Sequence, residues 1–115
     1  MRVMVMVKAT KDSEAGAMPT TELLEAMGKY NEQLIKAGVM LAGEGLHPSS
    51  KGARVRFSGN NRAVIDGPFA ETREQLGGYY LIDVPDLDAA IAVAKKVPIT
   101  RDGSVEIRPV IVPPA

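Results

Sequence analysis

Val3-Met4-Val5-Met6-Val7 decides the fold of this chain. The run is apolar throughout and β-branched at every second position, which predicts a strand. Side chains alternate across a strand, so the three valines line one face and Met4 and Met6 the other. A strand on an open sheet with one solvated face would carry polar residues at alternate positions. This one does not, so both of its faces need cover.

The rest of the chain supplies one kind of cover. Lys11 to Pro19 reads as loop, and Pro19-Thr20-Thr21 suits a helix start. Leu23, Met27, Tyr30 and Leu34 recur at helical spacing as far as Lys36, and Gly38 stands where a left-handed cap belongs. Val39 to Ala42 is a second strand, ended by Gly43 and Gly45. Arg54–Ser58 and Arg62–Asp66 flank Gly59-Asn60-Asn61 as a hairpin. Tyr79 to Val84 is a strongly apolar strand. Asp86 then reads as an N-cap for a helix with Leu87, Ala90, Ile91 and Ala94 on one stripe, ended by Pro98. Asp102-Gly103 turns the chain into a last strand from Val105 to Val110, and Pro113-Pro114-Ala115 forms a tail outside any sheet interior.

Strand, helix, strand, hairpin, strand, helix, strand is an α+β order: a ferredoxin-like βαββαβ plan with an inserted hairpin, in one domain over residues 1–115. Both helices must share one sheet face. The other face then calls for a second copy of the chain, so a homodimer is expected.

Bulk composition narrows the function. The chain has 115 residues, 45% of them hydrophobic and 24% charged, enough for an ordinary globular core. Its 14 basic and 14 acidic residues cancel, which argues against nucleic acid as a partner. The sequence contains no cysteine and one histidine, His47, so neither a disulfide nor a multi-histidine metal site within one chain is expected. No cofactor and no membrane role are expected, and the apolar start is too short for a signal-peptide core, which makes the cytoplasm the default location.

One segment stands apart: Asp66-Gly67-Pro68-Phe69-Ala70-Glu71-Thr72, followed by Gln75-Leu76-Gly77-Gly78-Tyr79-Tyr80-Leu81-Ile82. With Gly43-Glu44-Gly45-Leu46 and Glu106-Ile107-Arg108-Pro109, it resembles the DGPF branch of the YCII-related family. The resemblance covers most of the chain and implies a dimeric ferredoxin-like α/β-barrel. It implies little chemistry, because members of this branch are mostly uncharacterised. Narrower YCII-type relatives have a proposed histidine–aspartate pair with the histidine early in the first helix. This chain departs from that pattern, with no histidine between Thr20 and Lys36 and Val97 before Pro98. The family resemblance also implies an alternative, a regulatory or protein-interaction module associated with sigma factors.

The candidate catalytic residues are Asp66 and His47. Asp66, at a strand end beside a turn, is either a general base or the acceptor of an Asx-type turn. His47, in a loop after Gly43-Glu44-Gly45, is either an acid–base group or an exposed loop residue, with Glu44 near enough in sequence to orient it. Arg108, Glu44 and Tyr80 are candidate substrate-binding residues. Arg108 and Glu106 share a face of the last strand and can pair with each other. Tyr79 and Tyr80 point to opposite faces, so only one of them reaches a given cleft. Lys51, Arg54, Arg56 and Arg62 make a basic hairpin that either grips an anion or simply discourages edge pairing. Gly77-Gly78 precedes a strand and not a helix, which removes the phosphate-loop reading. The expected function is binding of a small polar or anionic molecule, with acid–base chemistry at a cleft between sheet and loops.

Overall fold

The computed structural model describes residues 1–99 and 103–113. Six strands run β1 Arg2–Lys8, β2 Met40–Gly45, β3 Ala53–Ser58, β4 Asn61–Asp66, β5 Leu76–Asp83 and β6 Val105–Pro109. Three helices are interspersed: α1 Lys11–Glu14, α2 Thr21–Lys36 and α3 Leu87–Ala94. Short 3-10 turns occupy Ser49–Lys51 and Thr72–Glu74. The main sheet has the order β2-β5-β1-β6 with antiparallel pairing throughout, and β3 and β4 form a separate two-stranded hairpin. Setting the hairpin aside, this is the ferredoxin-like strand order.

Register explains where the core lies. Across the helix-covered face, one row of the sheet runs Met40, Ile82, Val3, Pro109 and the next Gly43, Tyr80, Val5, Ile107. Val3, Val5 and Ile82 are fully buried there against Tyr30 and Leu34 of α2 and Ala90 and Val97 at α3. The helical stripe of Leu23, Met27, Tyr30 and Leu34 is therefore the packed one, with Tyr30 and Leu34 deepest. In α3 the buried side is different from the expected stripe. Ala90 is buried and Ala89, Val93 and Ala94 are half-buried, while Leu87 and Ile91 turn outward. Small residues let α3 lie close to the sheet, a preference that apolar spacing alone does not reveal.

Local signals set most of the boundaries. Thr20 Oγ1 accepts from the Leu23 N–H at 3.1 Å and Asp86 Oδ1 from the Ala89 N–H at 2.8 Å, each satisfying a first-turn donor. Gly38 has φ of 73°, and the bonds Gly38 N–H to Ile35 and Val39 N–H to Leu34 close α2 with paired C-terminal bonds. The segment expected as loop contains α1, held by a reciprocal cap in which Thr10 and Ser13 bond each other's backbone N–H. The second strand continues through Gly43 and Gly45 and does not end at Ala42. α3 ends at Ala94, ahead of Pro98. The turn expected at Asp102-Gly103 rests on Asp102, and the tail runs past Pro113; both lie outside the described residues.

The Tyr30 hydroxyl fastens the two long helices, donating to the Val93 carbonyl at 2.9 Å. Its ring meets Tyr80 edge to face, 5.5 Å between centroids at 74°. Burial, with a further contribution from Tyr80, pushes the Tyr30 phenol up from 10.0 to about 12. The folded chain thus keeps a proton that the unfolded chain releases first. The stability this gives is complete below the unfolded value and is lost as pH rises through the folded one. Tyr30→Phe is expected to cost about 1 kcal/mol at neutral pH, because the Val93 carbonyl loses one of its two donors and keeps the Lys96 N–H. Urea unfolding at steps between neutral pH and strong alkali checks the rest: wild type must lose stability faster than Tyr30→Phe as the phenol ionises. Parallel curves would contradict the assignment.

Candidate functional site

Three loop segments converge beyond the ends of β1, β2 and β5. The Leu46 N–H donates to the Gly77 carbonyl at 2.9 Å, and the Ala9 N–H to the Gln75 carbonyl at 2.9 Å. These bonds hold the His47 loop and the start of α1 beside the first residues of β5. Glu14, the last residue of α1, then clamps the 3-10 turn. One carboxylate oxygen accepts from the Ser49 N–H at 2.9 Å and the other from the Ser49 hydroxyl. Ser49 Oγ in turn accepts from the Phe69 N–H at 3.1 Å. A single serine therefore ties α1, the 3-10 turn and the Asp66-Gly67-Pro68-Phe69 turn together.

The backbone of that turn presses on the same serine. A Cβ on Gly67 would overlap the Ser49 carbonyl, so this position admits only glycine without movement of the chain. The Gly67 N–H donates to the Gly52 carbonyl at 3.1 Å. It is not held by Asp66, so the Asx-type turn is absent and the carboxylate of Asp66 has no hydrogen bond among the described residues. Arg54 packs over the Phe69 ring, 4.1 Å from its centroid, and lies 3.7 Å from the Glu71 carboxylate. Arg62 packs over Phe57 at 4.2 Å and donates to the Gly59 and Asn61 carbonyls. Two of the basic residues of the hairpin thus serve its own geometry.

The convergence leaves a cleft of about 540 Å³, within the usual range for small-molecule sites. Met18, Leu46 and Leu76 supply apolar wall, and His47, Lys51, Ser50 and Glu14 supply polar groups. A second cleft of about 240 Å³ lies under α2, lined by Asn31, Tyr80, Glu44 and Gly78 among others. Tyr80 is buried, donates its hydroxyl to Asn31 Oδ1 at 2.8 Å, and burial raises its pKa. The acceptor oxygen of Asn31 is thereby engaged, leaving its amide hydrogens for the cleft.

The candidate residues therefore separate. His47 is exposed at the larger cleft, and Glu44 and Tyr80 line the smaller. Glu44 and His47 make no hydrogen bond to each other among the described residues. Asp66 is exposed at the foot of the hairpin, opposite Ala53, and lines neither cleft. Arg108 stands on the sheet face away from the helices, 3.4 Å from Glu106, in an exposed pair that contributes little stability. Among the described residues no cluster of three potential metal ligands occurs, and no helix is long and apolar enough to cross a membrane.

Sequence reasoning missed Glu14, Ser49 and Asn31. Glu14 and Ser49 are 35 residues apart, and no local pattern links them. Asn31 lies on the expected helix, and its position under the sheet end follows from the α2 stripe only once Tyr80 is placed opposite. Gly67→Ala should lower stability by about 1–3 kcal/mol, the range for a forced overlap, and should disturb the amide signals of Ser49 and Phe69 in NMR spectra. An unshifted unfolding midpoint with an unchanged spectrum would show that the turn does not rest on Ser49.

Comparison with known proteins gives the family of the chain without adding chemistry. An uncharacterised protein of Rhizobium meliloti is 37% identical over 89 residues, covering 76% of this chain and 72% of that protein. The sequence model of the YCII-related domain matches residues 1–113, and on that match the chain belongs to the YCII-related domain family.

Proposed function

We propose that this protein is a homodimer that binds a small polar or anionic organic molecule in the larger cleft, with His47 as the acid–base group. One observation carries the reading. The single histidine of the sequence faces a cleft of about 540 Å³. Lys51 lines the same wall and gives a carboxylate or phosphate a cationic partner. Glu14 keeps its charge, and both of its oxygens are committed to Ser49. Asp66 stands outside the lining, so proton transfer falls to His47 while Asp66 remains a residue of the hairpin foot. Tyr80 contributes through the adjoining smaller cleft, while register turns the Glu44 side chain to the opposite sheet face. Arg108 belongs to the opposite sheet face and to subunit association.

The dimer follows from that opposite face. Register places Met4, Met6, Tyr79, Leu81 and Ala42 on it, all half-buried, with Arg2, Asp83, Glu44, Glu106 and Arg108 around them. An apolar centre with both signs of charge at its edge matches its own two-fold copy. Two sheets so joined make the dimeric α/β barrel, and the Asp66-Gly67-Pro68-Phe69 turn supports placement in the DGPF branch. We place the protein in the cytoplasm on the same reading.

A second reading, a non-enzymatic regulatory or protein-interaction module associated with sigma factors, draws on the hairpin. Val55, Phe57 and Val64 share one of its faces and are 54%, 69% and 70% exposed, an apolar surface that fits a macromolecular partner.

Native mass spectrometry of gently purified protein separates the two. The proposal expects a reproducible small added mass, with occupancy reduced about tenfold or more in His47→Ala, as loss of one charge-assisted hydrogen bond would give. A ligand-free wild type that instead retains a stoichiometric protein partner would support the second reading and reject the first.

A further inference from the structure

We infer that the two clefts form one elongated site joined at Gly45, and that its ligand carries an anionic group at one end and a neutral hydrogen-bonding group at the other. This inference rests on the ligand-binding reading of the larger cleft and adds the shape and chemistry of the ligand. Gly45 lines both clefts. On the helix-covered face, the third row of the sheet runs Gly45, Gly78, Val7, Val105. The two rows before it carry Met40 with Ile82, then Gly43 with Tyr80, and fill the core. At the third row no side chain rises from β2 or β5, and the space that forms core elsewhere is open.

The fold does not demand glycine at position 45. Its φ is not positive, and a Cβ built there meets no atom within 4 Å. Glycine loses more chain entropy on folding than any other residue and packs no side chain at this end of β2. A residue that costs stability and fills no steric need leaves a passage open between the two compartments.

The compartments differ in chemistry. The larger offers Lys51 and His47 to an anion and Met18, Leu46 and Leu76 to an apolar body. The smaller offers the Asn31 amide, its hydrogens directed outward because Tyr80 holds the oxygen. Glu44 lines the smaller compartment as well. The lining of that compartment holds no cationic side chain among the described residues, which disfavours a second anionic group there and favours a neutral amide or hydroxyl. The occupant is thus a carboxylate with an apolar middle and a polar uncharged far end.

Three probes test this by calorimetric or NMR titration: acetate, hexanoate and the monoamide of adipic acid. Wild type should bind the monoamide about tenfold or more tightly than acetate, with hexanoate between, since only the monoamide reaches Asn31. In Gly45→Val the ratio of monoamide to acetate affinity should fall by about tenfold, while the unfolding midpoint stays level or rises. Gly45→Ala, a smaller plug, should show the same change in lesser degree. Asn31→Leu should abolish the preference of monoamide over hexanoate. Equal affinities for the three probes in wild type would overturn the elongated site. So would a ratio unaffected by Gly45→Val. If acetate binding is lost in His47→Ala while chain length has no effect, the larger cleft stands as a site and only the joined site fails. If none of the probes binds, both fail.

Discussion

The structure depends on a central antiparallel pair, β1 with β5, that is apolar on both faces while its own helices cover only one. Val3, Val5, Tyr80 and Ile82 lie on the covered face and account for most of the deep burial. At about 25 cal/mol per Å² of apolar surface removed from water, such a row is the main favourable contribution to folding. The pairing that fixes those residues on one face also fixes Met4, Met6, Tyr79 and Leu81 on the other. A one-residue slip would exchange the two sets and expose the buried row, so the helix-covered face specifies the register. The proposed subunit association follows from the same strand that carries the core.

The same face that forms the core at one end forms the clefts at the other. The rows of the sheet shrink from Ile82 and Met40 to Gly78 and Gly45, and α2 passes over the change. The loops beyond it are held by polar bonds with little apolar packing, centred on Ser49 between Glu14 and Phe69. Such a junction is suited to a binding site. Its polar groups bond one another, and its apolar wall is left unfilled. The hairpin meets the junction through Arg54 on Phe69 and Gly67 against Ser49, and its outer half carries exposed Val55, Phe57 and Val64.

Much of the fold was legible in the sequence because its signals are local. The alternation in Val3–Val7, the spacing of Leu23, Met27, Tyr30 and Leu34, Gly38 after α2 and Asp86 before α3 each act within a few residues, and each appears where expected. The α3 stripe was misread because Leu87 and Ile91 are the more apolar residues, while close approach to the sheet selects Ala90 and Ala94. The short α1 was read as loop because four residues carry no period. Less of the site was legible. His47 could be named because the sequence has one histidine. Its neighbours Glu14 and Ser50, and the role of Asn31 beside Tyr80, depend on contacts between segments distant in sequence. Asp66 drew notice through its turn, whose structural work is done by Gly67 and Phe69.

Sedimentation equilibrium of wild type beside Met6→Lys tests the central claim most directly. Met6 lies in the middle of the uncovered face, opposite Tyr79 and Glu106. A lysine there would place a charge inside an apolar contact without touching the helix-covered core. The account predicts twice the chain mass for wild type at micromolar concentration, and a folded monomer with unchanged circular dichroism for Met6→Lys. A wild-type monomer, or a variant that associates as tightly as wild type, would contradict it.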